Sequence, residues 1–86
     1  MAKKFIITCT RPMSGRANSS EPLTVEEAVK YYGYTLLCGE SWQHEKGNKK
    51  INRNPKTIKS LITNLNNAAS NTAQNGWGER YTYVEV

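Results

Sequence analysis

Asn54-Pro55-Lys56-Thr57-Ile58-Lys59-Ser60-Leu61-Ile62-Thr63-Asn64-Leu65-Asn66-Asn67-Ala68-Ala69-Ser70-Asn71-Thr72-Ala73-Gln74 is the stretch that decides the fold. Asparagine is a good N-cap, and proline is suited to the first helical position. Ile58, Leu61, Ile62, Leu65, Ala68, Ala69 and Thr72 then recur at the spacing of one helix face. The pattern predicts a helix over 55–74. Asn75-Gly76 reads as its stop, Trp77-Gly78 as a turn, and Trp77 as a hydrophobic plug there. The alanines at 68, 69 and 73 suit close packing against a neighbouring element.

Such a stripe needs an apolar surface to cover it. Both ends of the chain offer one. Residues 3–10 read as a strand with Phe5, Ile7 and Cys9 on one side and Ile6 and Thr8 on the other. Apolar residues on both sides predict a central position or cover on two faces. Residues 79–86 alternate, with Arg80, Thr82, Val84 and Val86 opposite Tyr81, Tyr83 and Glu85. Between the two strands, Leu23-Thr24-Val25-Glu26-Glu27 forms a capping box and opens a second helix, for which Gly33 is a natural stop. Residues 11–22 have loop composition, and Tyr34–Cys38 reads either as a short strand or as a helical turn. Gly39 to Asn54 reads mostly as loop, with Trp42 and Ile51 as anchors.

The order is β-α-(β)-α-β. The expectation is one small α+β domain over residues 1–86, its terminal strands in one sheet and its long C-terminal helix packed on that sheet. No stretch approaches the roughly 20 apolar residues of a membrane span. The short apolar run at the N-terminus does not make a signal-peptide core, so a cytoplasmic location with reduced Cys9 and Cys38 is expected.

Six of the twelve basic residues, Lys46, Lys49, Lys50, Arg53, Lys56 and Lys59, fall within fourteen positions that hold no acid. The rest of the chain has six bases against seven glutamates, so the formal +5 is local. Concentrated charge of this kind attracts an anionic partner in a salt-dependent way. Placing Asn54-Pro55 as the helix start gives the first four cations to a loop and the last two to the first helical turns. Beyond Lys59 the polar face of that helix carries only hydroxyls and amides, a composition that tolerates burial against a partner and can bond phosphates and base edges. Asn64 and Asn67, with Trp42 upstream, are therefore further candidate contacts. Tyr31, Tyr32, Tyr34 and Trp42 form an aromatic cluster suited either to the core or to stacking on unpaired bases.

Leu23–Ala28 with Gly33 is similar to the first helix and turn of helix-turn-helix proteins over about eleven residues. The second helix should follow within a few residues, whereas the next strong helix signal is at Asn54. That spacing argues against the motif.

The inventory disfavours catalysis. The chain has no aspartate and one histidine, His44. Cys9, Cys38 and His44 lack the spacing of a metal site or of a thiol nucleophile with its base. Glu40 and Glu45 are a weak acid–base pair, and no cofactor is implied. The sequence therefore points to a non-enzymatic protein that engages nucleic acid, or an acidic surface of a protein partner, through residues 46–59. The alternative is a small phage-type accessory protein that binds and inhibits a host protein or nucleoprotein defence complex, a style suggested by the Asn/Lys-rich composition. A further reading is a structural subunit that oligomerises through exposed strand edges, for which a terminal strand such as Tyr81–Val86 could pair with its symmetry mate; the sequence leaves the oligomeric state open.

Overall fold

Phe5, Ile7 and Tyr81 are nearly or fully buried, and they bind the two ends of the chain into one core. A computed structural model describes residues 3–11, 15–72 and 79–86. Strand β1 spans Phe5–Arg11, β2 Arg16–Ser19 and β3 Arg80–Glu85. They form an antiparallel sheet in the order β2-β1-β3. The apolar residues on both sides of β1 reflect its central place. Its pairing with β3 runs from Phe5↔Glu85 to Thr10↔Arg80, so the terminal strands meet as the alternation predicts.

Helices α1 (Val25–Tyr31), α2 (Gly33–Ser41) and α3 (Ile58–Thr72) complete the domain. The core joins Ile7 and Tyr81 of the sheet to Ala28, Leu36 and the stripe Leu61, Ile62, Leu65, Ala68 and Ala69 of α3. Each large aliphatic side chain buried there contributes about 1.5–3 kcal/mol. The protein is thus an α+β domain with its longest helix packed on the sheet.

Four local expectations are corrected. Residues 11–22 are not all loop, because β2 lies within them. Gly15, at φ 68°, donates its N–H to the Arg11 carbonyl at 2.9 Å and turns the chain back along β1. The strand Arg16-Ala17-Asn18-Ser19 is exposed throughout, so it has no apolar alternation to announce it.

Tyr34–Cys38 is helix. Gly33 opens α2 instead of ending the helical run, and Tyr32 alone joins α1 to α2. A second helix therefore does follow α1 at once, contrary to the spacing expected. It lacks the three- to four-residue turn of a helix-turn-helix, and it turns Leu36 and Gly39 into the core.

Helix α3 begins at Ile58, not at Pro55. Thr57 is its cap, accepting from the Ser60 N–H at 3.1 Å while its carbonyl takes the Leu61 N–H at 3.0 Å. Asn54 is held earlier by a turn in which its N–H donates to Asn52 Oδ1 at 2.9 Å. Lys56 therefore precedes the helix, and only Lys59 sits in its first turn. The predicted helix end, Ala73, the Asn75-Gly76 stop and the Trp77 plug lie outside the described residues. The capping box forms as expected: Thr24 Oγ1 accepts from the Glu27 N–H at 3.2 Å and Glu27 Oε1 from the Thr24 N–H at 2.9 Å.

Candidate anion-binding surface

The chain leaves α2 at Trp42 in a series of tight turns. The Trp42 carbonyl accepts from the Glu45 N–H and from Asn48 Nδ2, at 3.1 and 2.7 Å. Gly47 takes φ 86°, a left-handed conformation that favours glycine. From Lys49 the chain runs beside α3 as a ribbon, and asparagines of α3 hold it.

Asn71 is 2% exposed. Its Oδ1 accepts from the Lys49 N–H at 2.9 Å, and its Nδ2 donates to the carbonyls of Lys49 and Gly39 at 2.7 and 3.1 Å. Two turns earlier, Asn64 Oδ1 accepts from the Asn52 N–H at 2.8 Å, and its Nδ2 donates to the Ser60 carbonyl at 2.8 Å. The dimensions agree. Three extended residues cover about 10 Å, as do seven residues of helix. Between the clamps the Ile51 N–H donates to Gln43 Oε1 at 3.1 Å, and the Ile51 side chain is buried. Pro55 is buried at the ribbon's far end.

With Ile51 and Pro55 inward, the cations face out. Lys46, Lys49, Lys50, Arg53, Lys56 and Lys59 are all exposed. Arg53 Nη1 pairs with Glu40 Oε1 at 3.7 Å, which leaves Glu40 committed to that cation and not to His44, an exposed residue of the turn. The ribbon therefore displays a row of charge on an ordered backbone.

The other candidate contacts divide. Asn64 is a buried clamp whose amide oxygen is spent on the ribbon and whose amide nitrogen is spent on Ser60 of its own helix, so it does not meet a partner. Asn67 is half-buried on α3. Trp42, 41% exposed, lines a cleft of about 530 Å³ together with Tyr31, Tyr34 and the partly buried Tyr32. Tyr31 and Tyr34 are 68% and 77% exposed, so the aromatic cluster is largely surface and not core. The ribbon's first turn starts from Trp42, one wall of this cleft, while the cation that lines the cleft itself is Arg11.

Sequence reasoning missed the floor of this cleft. Glu79 Oε2 accepts from the Cys9 thiol at 3.1 Å and from the Tyr81 hydroxyl at 3.2 Å, and Arg11 Nη2 lies 3.7 Å from Glu79 Oε1. Burial pushes the Cys9 thiol up, and its bond to Glu79 pushes it further. The group stays a protonated thiol at neutral pH and is a poor nucleophile. Cys38 lines the same cleft, and both cysteines are free thiols. The Cys9↔Tyr81 pairing is the signal that locates this cluster, but it requires the strand register first. Among the described residues no group of three His, Cys, Asp or Glu side chains is placed to hold a metal ion, and no helix is long and apolar enough to cross a membrane. Comparison with protein-family models, curated proteins and solved structures gives no match for this chain.

Proposed function

We propose that this protein is a non-enzymatic nucleic-acid-binding module whose contact surface is the ribbon from Lys46 to Lys59. The observation that carries the reading is the pair of asparagine clamps. The clamps and the buried Ile51 and Pro55 stabilise the fold, and in doing so they hold the cations in a fixed, outward-facing row. An ordered row of cations loses less conformational entropy when it meets phosphates, so more of the electrostatic attraction survives as affinity. The exposed rings of Tyr31, Tyr34 and Trp42 at one end of the ribbon suit stacking on unpaired bases.

Fluorescence anisotropy with labelled single- and double-stranded oligonucleotides tests this. With six phosphate contacts, log K against log salt should fall with a slope of roughly −5 on duplex DNA. No detectable binding at about 50 mM salt, where this attraction is strong, ends the reading. The alternative, a phage-type inhibitor docking the same cations on an acidic protein surface, is separated by a pull-down from nuclease-treated lysate. Retention of a specific protein after nuclease, with no oligonucleotide binding, favours it.

A further inference from the structure

Strand β3 is an edge strand, and the hydrogen-bond parity of the sheet tells which of its groups point outward. The Val86 N–H donates to the Lys4 carbonyl at 3.0 Å, so the even residues of β3 exchange bonds with β1. The odd residues Tyr81, Tyr83 and Glu85 therefore aim their N–H and C=O groups away from β1. β1 has the complementary parity, because its Phe5 and Ile7 bond toward Leu23 and Ser20 on the opposite side.

Tyr81 is closed off. Asn66 of α3 accepts from its N–H at 2.7 Å and donates to its carbonyl at 3.1 Å, as a neighbouring strand would. Among the described residues Tyr83 and Glu85 have no such cover. The edge that remains is short and has its own two-fold logic. A dyad at Val84 places Tyr83 opposite Glu85 of a second copy, and Glu85 opposite Tyr83, so that each pair exchanges two backbone hydrogen bonds. Val84 then meets Val84, and Thr82 meets Val86.

Other registers fail. A dyad at Tyr83 needs the groups of Tyr81 that Asn66 already holds, and a dyad at Glu85 sets two carboxylates directly opposite each other. Val84 and Val86 are 61% and 69% exposed, apolar side chains that the dyad register would bring together. The flank of α3 that carries Asn66 borders this edge, and its exposed Thr63 and Ser70 add no charge to it.

We infer that two copies of this chain join through β3, antiparallel about Val84, into one six-stranded sheet. The pairing closes on itself and leaves no β3 edge for further growth. The ribbons, held by Asn64 and Asn71 on the opposite flank of α3, remain open in such a dimer. The inference stands independently of what the ribbons bind.

Sedimentation velocity from about 5 to 500 μM tests it, with a concentration-dependent monomer–dimer equilibrium expected for a short pairing of this kind. Val84→Lys and Val84→Glu each put like charges across the dyad and should raise the dimer dissociation constant by roughly tenfold. Mixing the two variants should restore or exceed wild-type association. Because Val84 is exposed, both should keep the wild-type circular dichroism. Val84→Cys should form a disulfide-linked dimer on mild oxidation, since residues facing across a non-hydrogen-bonded pair lie about 4.5 Å apart at Cα. Thr82→Cys, which faces Val86, should not. A wild-type protein that stays monomeric throughout, or a dimer indifferent to both charged variants, overturns the inference.

Discussion

At the residue scale, asparagine is the organising side chain of this protein. Asn64, Asn66 and Asn71 each present a carbonyl and an amide to a neighbouring backbone, and each stands in for a missing peptide group. Asn71→Ala should therefore cost about 2–3 kcal/mol, because the Lys49 N–H and two carbonyls lose partners in a buried place. Urea unfolding measures that loss, and Asn67→Ala is the control, expected to stay within about 0.5 kcal/mol. The abundance of asparagine was plain in the sequence, but its role was not. Asn64 and Asn71 are seven residues apart at the border of the apolar stripe, and periodicity cannot say whether a polar residue there looks into solvent or into a backbone. Cys9 gives a second prediction. Its folded pKa is raised by burial first and by the Glu79 bond second, so its protonated form is favoured in the native state. The resulting stability is fully present below the ordinary thiol pKa of 9.0 and is lost as pH rises through the folded value. Iodoacetamide at pH 7.5 should accordingly modify Cys9 in the native protein more slowly than in urea, with mass mapping to locate the adduct. Equal rates at Cys9 in the two states would remove the basis for calling that thiol inert.

At the element scale, the contact that fixes the helical layer is between α2 and α3. A Cβ on Gly39 would stand 2.5 Å from the Ala68 Cα and clash with its side chain. Gly39→Ala should cost about 3 kcal/mol by overpacking, and Ala68→Gly should not rescue it fully because the obstruction includes backbone. Thermal melts of the single and double variants decide this. The same contact explains which elements were legible. The capping box and the α3 stripe use local signals, namely a side chain reaching three residues along and an apolar face of period 3.6. The pairing of β1 with β3 was also readable, since both strands alternate. Helix α2 was not, because the short run Tyr34–Cys38 fits strand and helix alike, and the close approach of Gly39 to Ala68 that accompanies the helix leaves no local pattern. β2 was hidden for the opposite reason: its residues bury nothing, and its order comes from the β1 ladder and from the Ser19 and Ser20 hydroxyls, which lie 2.9 and 3.0 Å from Thr8 Oγ1 and the Ile7 N–H. The start of α3 moved because Thr57 competes with Asn54 for the cap, and only the Asn52–Asn54 turn decides between them.

At the scale of the whole molecule, the question is whether the cations act as an ordered row or only as net charge. The sequence gives their number and their clustering; the clamps that align them lie on a helix that follows them in the chain, so their order becomes visible only once the chain is folded. Two variants separate the contributions. Lys49→Gln with Lys50→Gln removes two charges and leaves the backbone bonds at Lys49 intact. Its salt dependence on duplex DNA should be shallower by about 2 in slope. Asn64→Ala removes no charge but frees the Asn52 N–H and with it the middle of the ribbon. The freed cations still reach phosphates, so the slope should stay close to that of the wild type. They must now be ordered on binding, at a cost of about 0.5–1.5 kcal/mol for each side chain so fixed. Affinity at any one salt concentration should then fall by roughly two- to thirteenfold per such side chain, a parallel displacement of the salt plot and not a tilt. Both variants are to be measured well below their unfolding midpoints, with Ser70→Ala, an exposed change on α3, alongside as one that touches neither the charge nor the clamp. If Asn64→Ala binds as the wild type does while the double lysine variant weakens, charge alone carries recognition and the ribbon's order belongs to the fold.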